Sequence, residues 1–168
     1  RREKMRILSL FDGCSGTQLA INRIGIKEYT YYASEIDKYA IKITQKNFPK
    51  TIQVGDVTKV TKETVGDIDL LVAGSPCQGF SFAGKQLNFN DERSKLFFEV
   101  VRLIKEVKPK YFLLENVKMK QEFQDVISEA LGVKPVLINS ALLSAQNRNR
   151  LYWTNIPVEG LPFDKGIM

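Results

Sequence analysis

The sequence predicts an α/β fold, a parallel sheet flanked by helices, and three observations carry that expectation. Short apolar runs alternate with stretches of helical periodicity along the whole chain. Most of those runs stop abruptly at Gly, Asp, Glu or Asn. The strongest run, Ile68 to Ala73, is almost wholly apolar, as a strand buried on both faces must be.

Met5 to Phe11 reads as a buried strand ending in the turn Asp12-Gly13-Cys14-Ser15-Gly16. Thr17 to Ile24 reads as a short helix, and Gly25 stops it. Tyr29 to Ser34 is a second strand; it ends at Glu35-Ile36-Asp37 and leads into a helix reaching Asn47. A short strand from Thr51 to Val54 runs into Gly55-Asp56. After Ile68 to Ala73 comes a polar loop from Gln78 to Arg93. Ser94 to Val107 is helical because Leu96, Phe97, Val100, Val101, Ile104 and Val107 recur on one face. Tyr111 to Leu114 is a short strand stopping at Glu115-Asn116, and Glu122 to Leu131 a helix ending at Gly132. Val136 to Leu142 and Leu151 to Asn155 close the chain as two strands around a polar loop. Neither repeats nor a linker divide it, so residues 1–168 are expected to form a single domain.

Composition narrows the chemistry. The chain has no histidine, which removes Ser-His-Asp and Cys-His catalysis and most zinc chemistry at once. Any nucleophile must be activated by burial, backbone dipoles, carboxylates or a cofactor. Two cysteines at positions 14 and 77 fit neither a metal nor a disulfide spacing, the pattern of a reduced, intracellular chain. No apolar run is long enough to cross a bilayer, and no signal peptide is read at the start. A net charge of +6 favours a polyanionic partner; the plainer reading is a solvated lysine-rich surface.

Asp12, Glu35, Asp56, Cys77 and Glu115 all fall at the carboxyl ends of expected strands, the edge where open α/β sheets bind ligands. A strand, a glycine-containing turn, a helix and then an acid after the next strand is a nucleotide-binding order. Gly13 and Gly16 let the backbone approach a ligand, and Glu35 stands where a carboxylate would accept from ribose hydroxyls. The turn is not G-x-G-x-x-G, and Asp12 within it repels a pyrophosphate while suiting an amine or sulfonium. The plainer reading is that the glycines only shape a tight turn. Cys14 is read as a small buried core residue, the usual place of a free cysteine.

Gly74-Ser75-Pro76-Cys77-Gln78-Gly79-Phe80-Ser81 resembles the catalytic motif of the cytosine-5 DNA methyltransferases. The resemblance runs in order through the chain: Phe11 to Gly16 resembles the cofactor loop, Glu35-Ile36-Asp37 the ribose-binding acid, and Gly55-Asp56 the adenine-binding turn. Glu115-Asn116-Val117 resembles the second catalytic motif, and Gln146-Asn147-Arg148-Asn149-Arg150 the Gln-x-Arg-x-Arg pattern. The resemblance implies a Rossmann-like S-adenosylmethionine-dependent methyltransferase fold, mostly parallel with an antiparallel final strand. It implies methyl transfer from S-adenosylmethionine to C5 of a flipped-out cytosine in double-stranded DNA, as in restriction-modification, in the cytoplasm of a prokaryote or from a phage. Catalysis would rest on Cys77, Glu115, Arg148 and Arg150. The cofactor would meet Phe11, Asp12, Gly13, Ser15, Gly16, Glu35, Ile36, Asp56, Val57, Pro76 and Leu96. Gln78, Ser81, Lys85 and Arg93 would face DNA, with Asn116 and Gln146 holding the loops; no metal and no membrane is implied.

Those residue types suit the chemistry. Cytosine is a poor nucleophile at C5, so a group must first add to C6, and a thiolate both adds and leaves again. A carboxyl group at Glu115 would hydrogen-bond N3 and the N4 amine, and burial beside a thiolate favours its neutral form. Arg148 and Arg150 alternate along an extended segment and so share a side. The family's target-recognition domain and last cofactor-pocket segment are not seen in these residues, which leaves room for a second chain that supplies recognition. Three alternatives stay open: a non-catalytic or partner-dependent module, an RNA cytosine-5 methyltransferase, and a dehydrogenase on a similar fold, the last disfavoured by the acidic turn.

Overall fold

The computed structural model describes residues 4–74 and 92–167, with side chains in the second stretch from Lys95 onward. Strands β1 (Met5–Leu10), β2 (Tyr29–Ser34), β3 (Ile52–Gln53), β4 (Leu70–Gly74) and β5 (Tyr111–Val117) pair in parallel, and β7 (Asn149–Thr154) runs antiparallel between β5 and β6 (Val136–Asn139). The order across the sheet is β3-β2-β1-β4-β5-β7-β6. Helices α1 (Gly16–Arg23), α2 (Lys38–Asn47), α3 (Lys62–Val65), α4 (Glu92–Val107) and α5 (Gln121–Leu131) join the strands. The α/β architecture, mostly parallel with an antiparallel final strand, is the one expected.

Chain direction across the sheet reverses between β1 and β4, because β2 and β3 lie outward of β1 while β5 lies outward of β4. A crevice opens above the carboxyl ends of the two strands at such a switch point. β1 supplies both faces of the core by its period of two: Leu8 and Leu10 join the main cluster with Leu71, Phe97, Val100, Leu103, Leu114 and Trp153. Ile7 turns the other way, to Ile21, Tyr31 and Ala33. α4 packs there because Phe97, Val100, Leu103 and Val107 are all buried.

Four local expectations change. β5 does not stop at Leu114 but continues to Val117, since β7 supplies antiparallel partners for Glu115, Asn116 and Val117. β6 ends at Asn139 rather than Leu142, where the Asn139 side chain accepts from the amides of Ala141 and Arg148 and turns the chain. β7 starts at Asn149, earlier than expected, and stops before Asn155, whose side chain instead accepts from the Phe112 amide and donates to the Lys110 carbonyl. The short turns Val57–Lys59 and α3 carry too few residues for a periodic signal and were not anticipated.

Candidate active site

The β1–α1 turn is built around positive φ angles at Phe11 (55°), Gly13 (58°) and Ser15 (60°). A left-handed conformation strains residues with a Cβ, so the two non-glycine positions need holding. Asp12 holds them. Its Oδ1 accepts from the Tyr31 hydroxyl at 2.6 Å, its Oδ2 accepts from the Ser15 hydroxyl, and its amide donates to the Ser34 carbonyl at 3.1 Å. Asp12 is thus turned inward and buried, beneath the turn. Burial, and then the Asp12 charge, pushes the Tyr31 hydroxyl well above the ordinary tyrosine range. Cys14 is exposed, not buried, because the turn points it outward.

Glu35, directly after β2, ties the turn to its neighbour. Its carboxylate accepts from the amides of Gly13 (2.8 Å), Ile36 (2.8 Å) and Asp37 (2.9 Å). Asp37 caps α2 by accepting from the Tyr39 and Ala40 amides, and Ile36 is strongly exposed at the rim. Ser34 donates to the Gly55 carbonyl at 2.7 Å and so links the second acidic turn to the third. Asp56 accepts from the Thr58 amide and hydroxyl, each 2.9 Å, which holds its carboxyl below the usual range. Arg102 of α4 fixes the following residues, donating to the carbonyls of Val57 and Val60 while paired with Glu99 and Glu106. Val57 itself is buried in the main core, so only its backbone is free to face a ligand, and Leu96 packs against the same core.

The second half of the site lies on β5 and β7. Glu115 stands in register with Gly74, the last residue of β4, and with Tyr152 of β7. Arg150 Nε approaches Glu115 Oε1 at 2.8 Å, and Arg148 Nη2 lies 4.0 Å from the same oxygen. The other oxygen, Oε2, would sit 3.7 Å from a Cβ placed on Gly74, so the carboxylate leans over the end of β4. Tyr152 shares this face with Arg148 and Arg150; burial, then the Glu115 charge, raises its hydroxyl. Asn116 points to the opposite, buried face, where its Oδ1 accepts from the Val117 amide and its Nδ2 has no partner among the described residues. Gln146 is exposed on the β6–β7 loop and accepts from the Ser140 hydroxyl through its carbonyl.

The two halves are neighbours by topology. Leu10, Ala73 and Leu114 are aligned across β1, β4 and β5, which separates the first turn from Glu115 by two strand spacings, about 10 Å. Pro76, Cys77, Gln78, Ser81 and Lys85 lie outside the described residues, as does the side chain of Arg93. Two tyrosines were not singled out from the sequence, Tyr31 and Tyr152. The two-residue alternation that carries Arg148 and Arg150 to one side extends to Tyr152 and was the available signal. No group of three potential metal ligands occurs among the described residues, and no described helix is long and apolar enough to cross a membrane.

Residues 5–159 match the family model of the C-5 cytosine-specific DNA methylases. The chain is 42% identical over 160 residues to the type II methyltransferase M1.ScrFI of Lactococcus lactis subsp. cremoris, covering 89% of this chain and 41% of that one. It is 40% identical over 162 residues to the orphan methyltransferase M.SPRI of Bacillus phage SPR, covering 89% and 37%. It therefore spans about two fifths of the length of these relatives. Among solved structures it resembles a DNMT2 variant of Spodoptera frugiperda, with a TM-score of 0.75, 22% identity, and coverage of 98% of this chain and 57% of that one. S. pombe Dnmt2 gives a TM-score of 0.73 at 23% identity, covering 94% and 53%. At those identities the likeness concerns the fold.

Proposed function

The chain belongs to the C-5 cytosine-specific DNA methylase family, and from that premise we propose that it forms the catalytic part of an enzyme that methylates C5 of a flipped-out cytosine in DNA, with Cys77 as nucleophile. The observation that carries the reading is the Glu115 carboxylate, held by Arg150 at 2.8 Å and leaning over Gly74, three residues before Cys77. A carboxyl group and a thiol would then converge at the end of β4.

The methyl donor of this family is S-adenosylmethionine, and the first half of the site suits it. Above Gly13 and Gly55 no described residue lies within 4 Å of an added Cβ, so ligand atoms can come close to the backbone. Glu35 retains lone pairs for ribose hydroxyls after accepting from three amides, and Asp56 stands exposed for an adenine amine. When bound, the donor supplies a methyl group on a positively charged sulfur.

In this reading the Cys77 thiolate forms a bond to C6, and the electron pair displaced toward C5 takes the methyl group. Glu115, carrying a proton, donates to N3 and accepts from the N4 amine, steadying the ring while charge shifts through it. Arg150 fixes Glu115, and Arg148 stands ready for the base O2. Loss of the C5 proton to water then re-forms the C5–C6 double bond and expels the Cys77 thiolate. The base must leave the helical stack first, at a cost of roughly a few kcal/mol. Gln78, Ser81, Lys85 and Arg93 are proposed to face the DNA, and a cytoplasmic location fits this work. Target recognition is proposed to come from protein beyond the family match, in the same or a second chain.

The test is trapping on duplex DNA carrying 5-fluorocytosine, where fluorine replaces the C5 proton that must be lost to release the thiol, so the adduct persists. Mass spectrometry should find DNA on Cys77 in the wild type and none in Cys77→Ala. An RNA oligonucleotide with 5-fluorocytidine is the second arm. An adduct on RNA alone would replace the DNA reading, and no adduct on either, with the donor bound and a recognition chain added, would refute catalysis.

A further inference from the structure

Asp12 is a buried carboxylate that the mechanism above leaves unused. Both its oxygens accept from neutral hydroxyls, those of Tyr31 and Ser15. None of the lysines and arginines in the ion pairs of the described residues is paired with it. The donors behind it are neutral too: Gln18 Nε2 donates to Ser15 Oγ at 3.1 Å and to Thr51 Oγ1 at 2.8 Å, and Tyr29 donates to Gln18 Oε1 at 3.2 Å. A buried charge without a counter-ion is costly to keep. Its field is also poorly screened, and so reaches further than that of an exposed acid.

That field is aimed at one place. Phe11, Gly13 and Ser15, all at positive φ, wind the backbone over the Asp12 carboxylate, and the outer sides of Gly13 and Gly16 are open. Asp56 contributes negative charge at the rim but is solvent-exposed and screened, and Glu35 is engaged by three amides. Resting on the donor site of the preceding section, we propose that Asp12 makes this turn selective for charge. It favours the sulfonium cation of S-adenosylmethionine over the neutral thioether, S-adenosylhomocysteine, that remains after methyl transfer. Tyr31 and Ser15 are positioning residues that hold the carboxylate under the turn. The consequence is easier exchange of spent cofactor for fresh donor.

Calorimetric titration of the wild-type chain, Asp12→Asn and Tyr31→Phe with each of the two ligands tests this, with circular dichroism as the check on folding. Asp12→Asn should lose on the order of tenfold in affinity for the cation and much less for the thioether, the effect of one poorly screened charge several ångströms away. Tyr31→Phe should weaken both ligands in parallel and leave their ratio within about twofold, as loosening of the turn without loss of the charge requires. If Asp12→Asn does not fold, Asp12→Ser removes the charge and keeps a hydroxyl, and the same fall in ratio is expected. Two bound ligands with an unchanged ratio in the neutral variants would overturn the charge selectivity while leaving the donor site standing. A wild type that binds neither ligand would overturn the donor site, and this inference with it.

Discussion

Arg150, in β7, and Arg148, just before that strand, reach the same oxygen of Glu115, yet the geometry assigns them unequal work. Arg150 Nε is 2.8 Å from Glu115 Oε1 with 20% of its side chain exposed; Arg148 Nη2 is at 4.0 Å with 49% exposed. A short, charge-assisted bond between groups that are mostly out of water is worth about 1.5–3 kcal/mol. A longer contact whose cation is half in water is worth roughly 0–0.5 kcal/mol. Arg150→Met keeps the apolar stem, removes the donor and leaves Glu115 free to swing from the end of β4. If that orientation is what the reacting ring needs, about 1.5–3 kcal/mol of lost positioning lowers the single-turnover methylation rate by roughly 10- to 150-fold. Arg148→Met should cost little in stability, and its effect should appear in substrate affinity. The assay is single-turnover transfer from labelled donor, alongside urea unfolding of each variant. Equal losses of rate in the two variants, or an Arg150→Met enzyme at wild-type rate, would refute the positioning argument.

Three further outcomes follow from local geometry. Arg102→Met removes the donor to the Val57 and Val60 carbonyls and the cation paired with Glu99 and Glu106, leaving Glu106 only the Lys62 amide among the described residues. It should destabilise the chain by about 1–3 kcal/mol in urea unfolding and weaken donor binding through the Asp56 turn. Gly13→Ala, at φ +58° with open space around it, should cost about 1 kcal/mol from backbone strain alone, whereas Gly16→Ala, at an ordinary helical position, should be neutral or slightly stabilising by thermal melting. Tyr31 adds an alkaline limit: its hydroxyl ionises less readily folded than unfolded, so the stability it confers is complete below about pH 10 and falls as pH rises beyond that. Tyr31→Phe should flatten the decline in unfolding free energy above pH 10, and an unchanged slope would contradict the buried Tyr31–Asp12 pair.

The sequence alone was enough for whatever depends on local pattern. Apolar runs at Met5–Leu10, Tyr29–Ser34 and Leu70–Gly74 became neighbouring strands, since a continuous apolar run has few options but burial on both faces. The periodic face of Ser94 to Val107 became α4 for the same reason. The motifs that pointed to the family were equally legible, because their spacing puts reactive residues at strand ends.

Tertiary structure decided what depends on residues far apart in the chain. Glu115 was expected at the end of a strand, and only the pairing of β5 with β7, more than thirty residues later, drew it into the strand and gave it Arg150 as a partner. Cys14 read as buried core from the sequence, but the turn over Tyr31 exposes it and buries the Asp12 side chain instead. Nothing in the local pattern carries that reversal, because a two-residue shift in which side chain points inward depends on φ angles that a hydroxyl from the neighbouring strand stabilises.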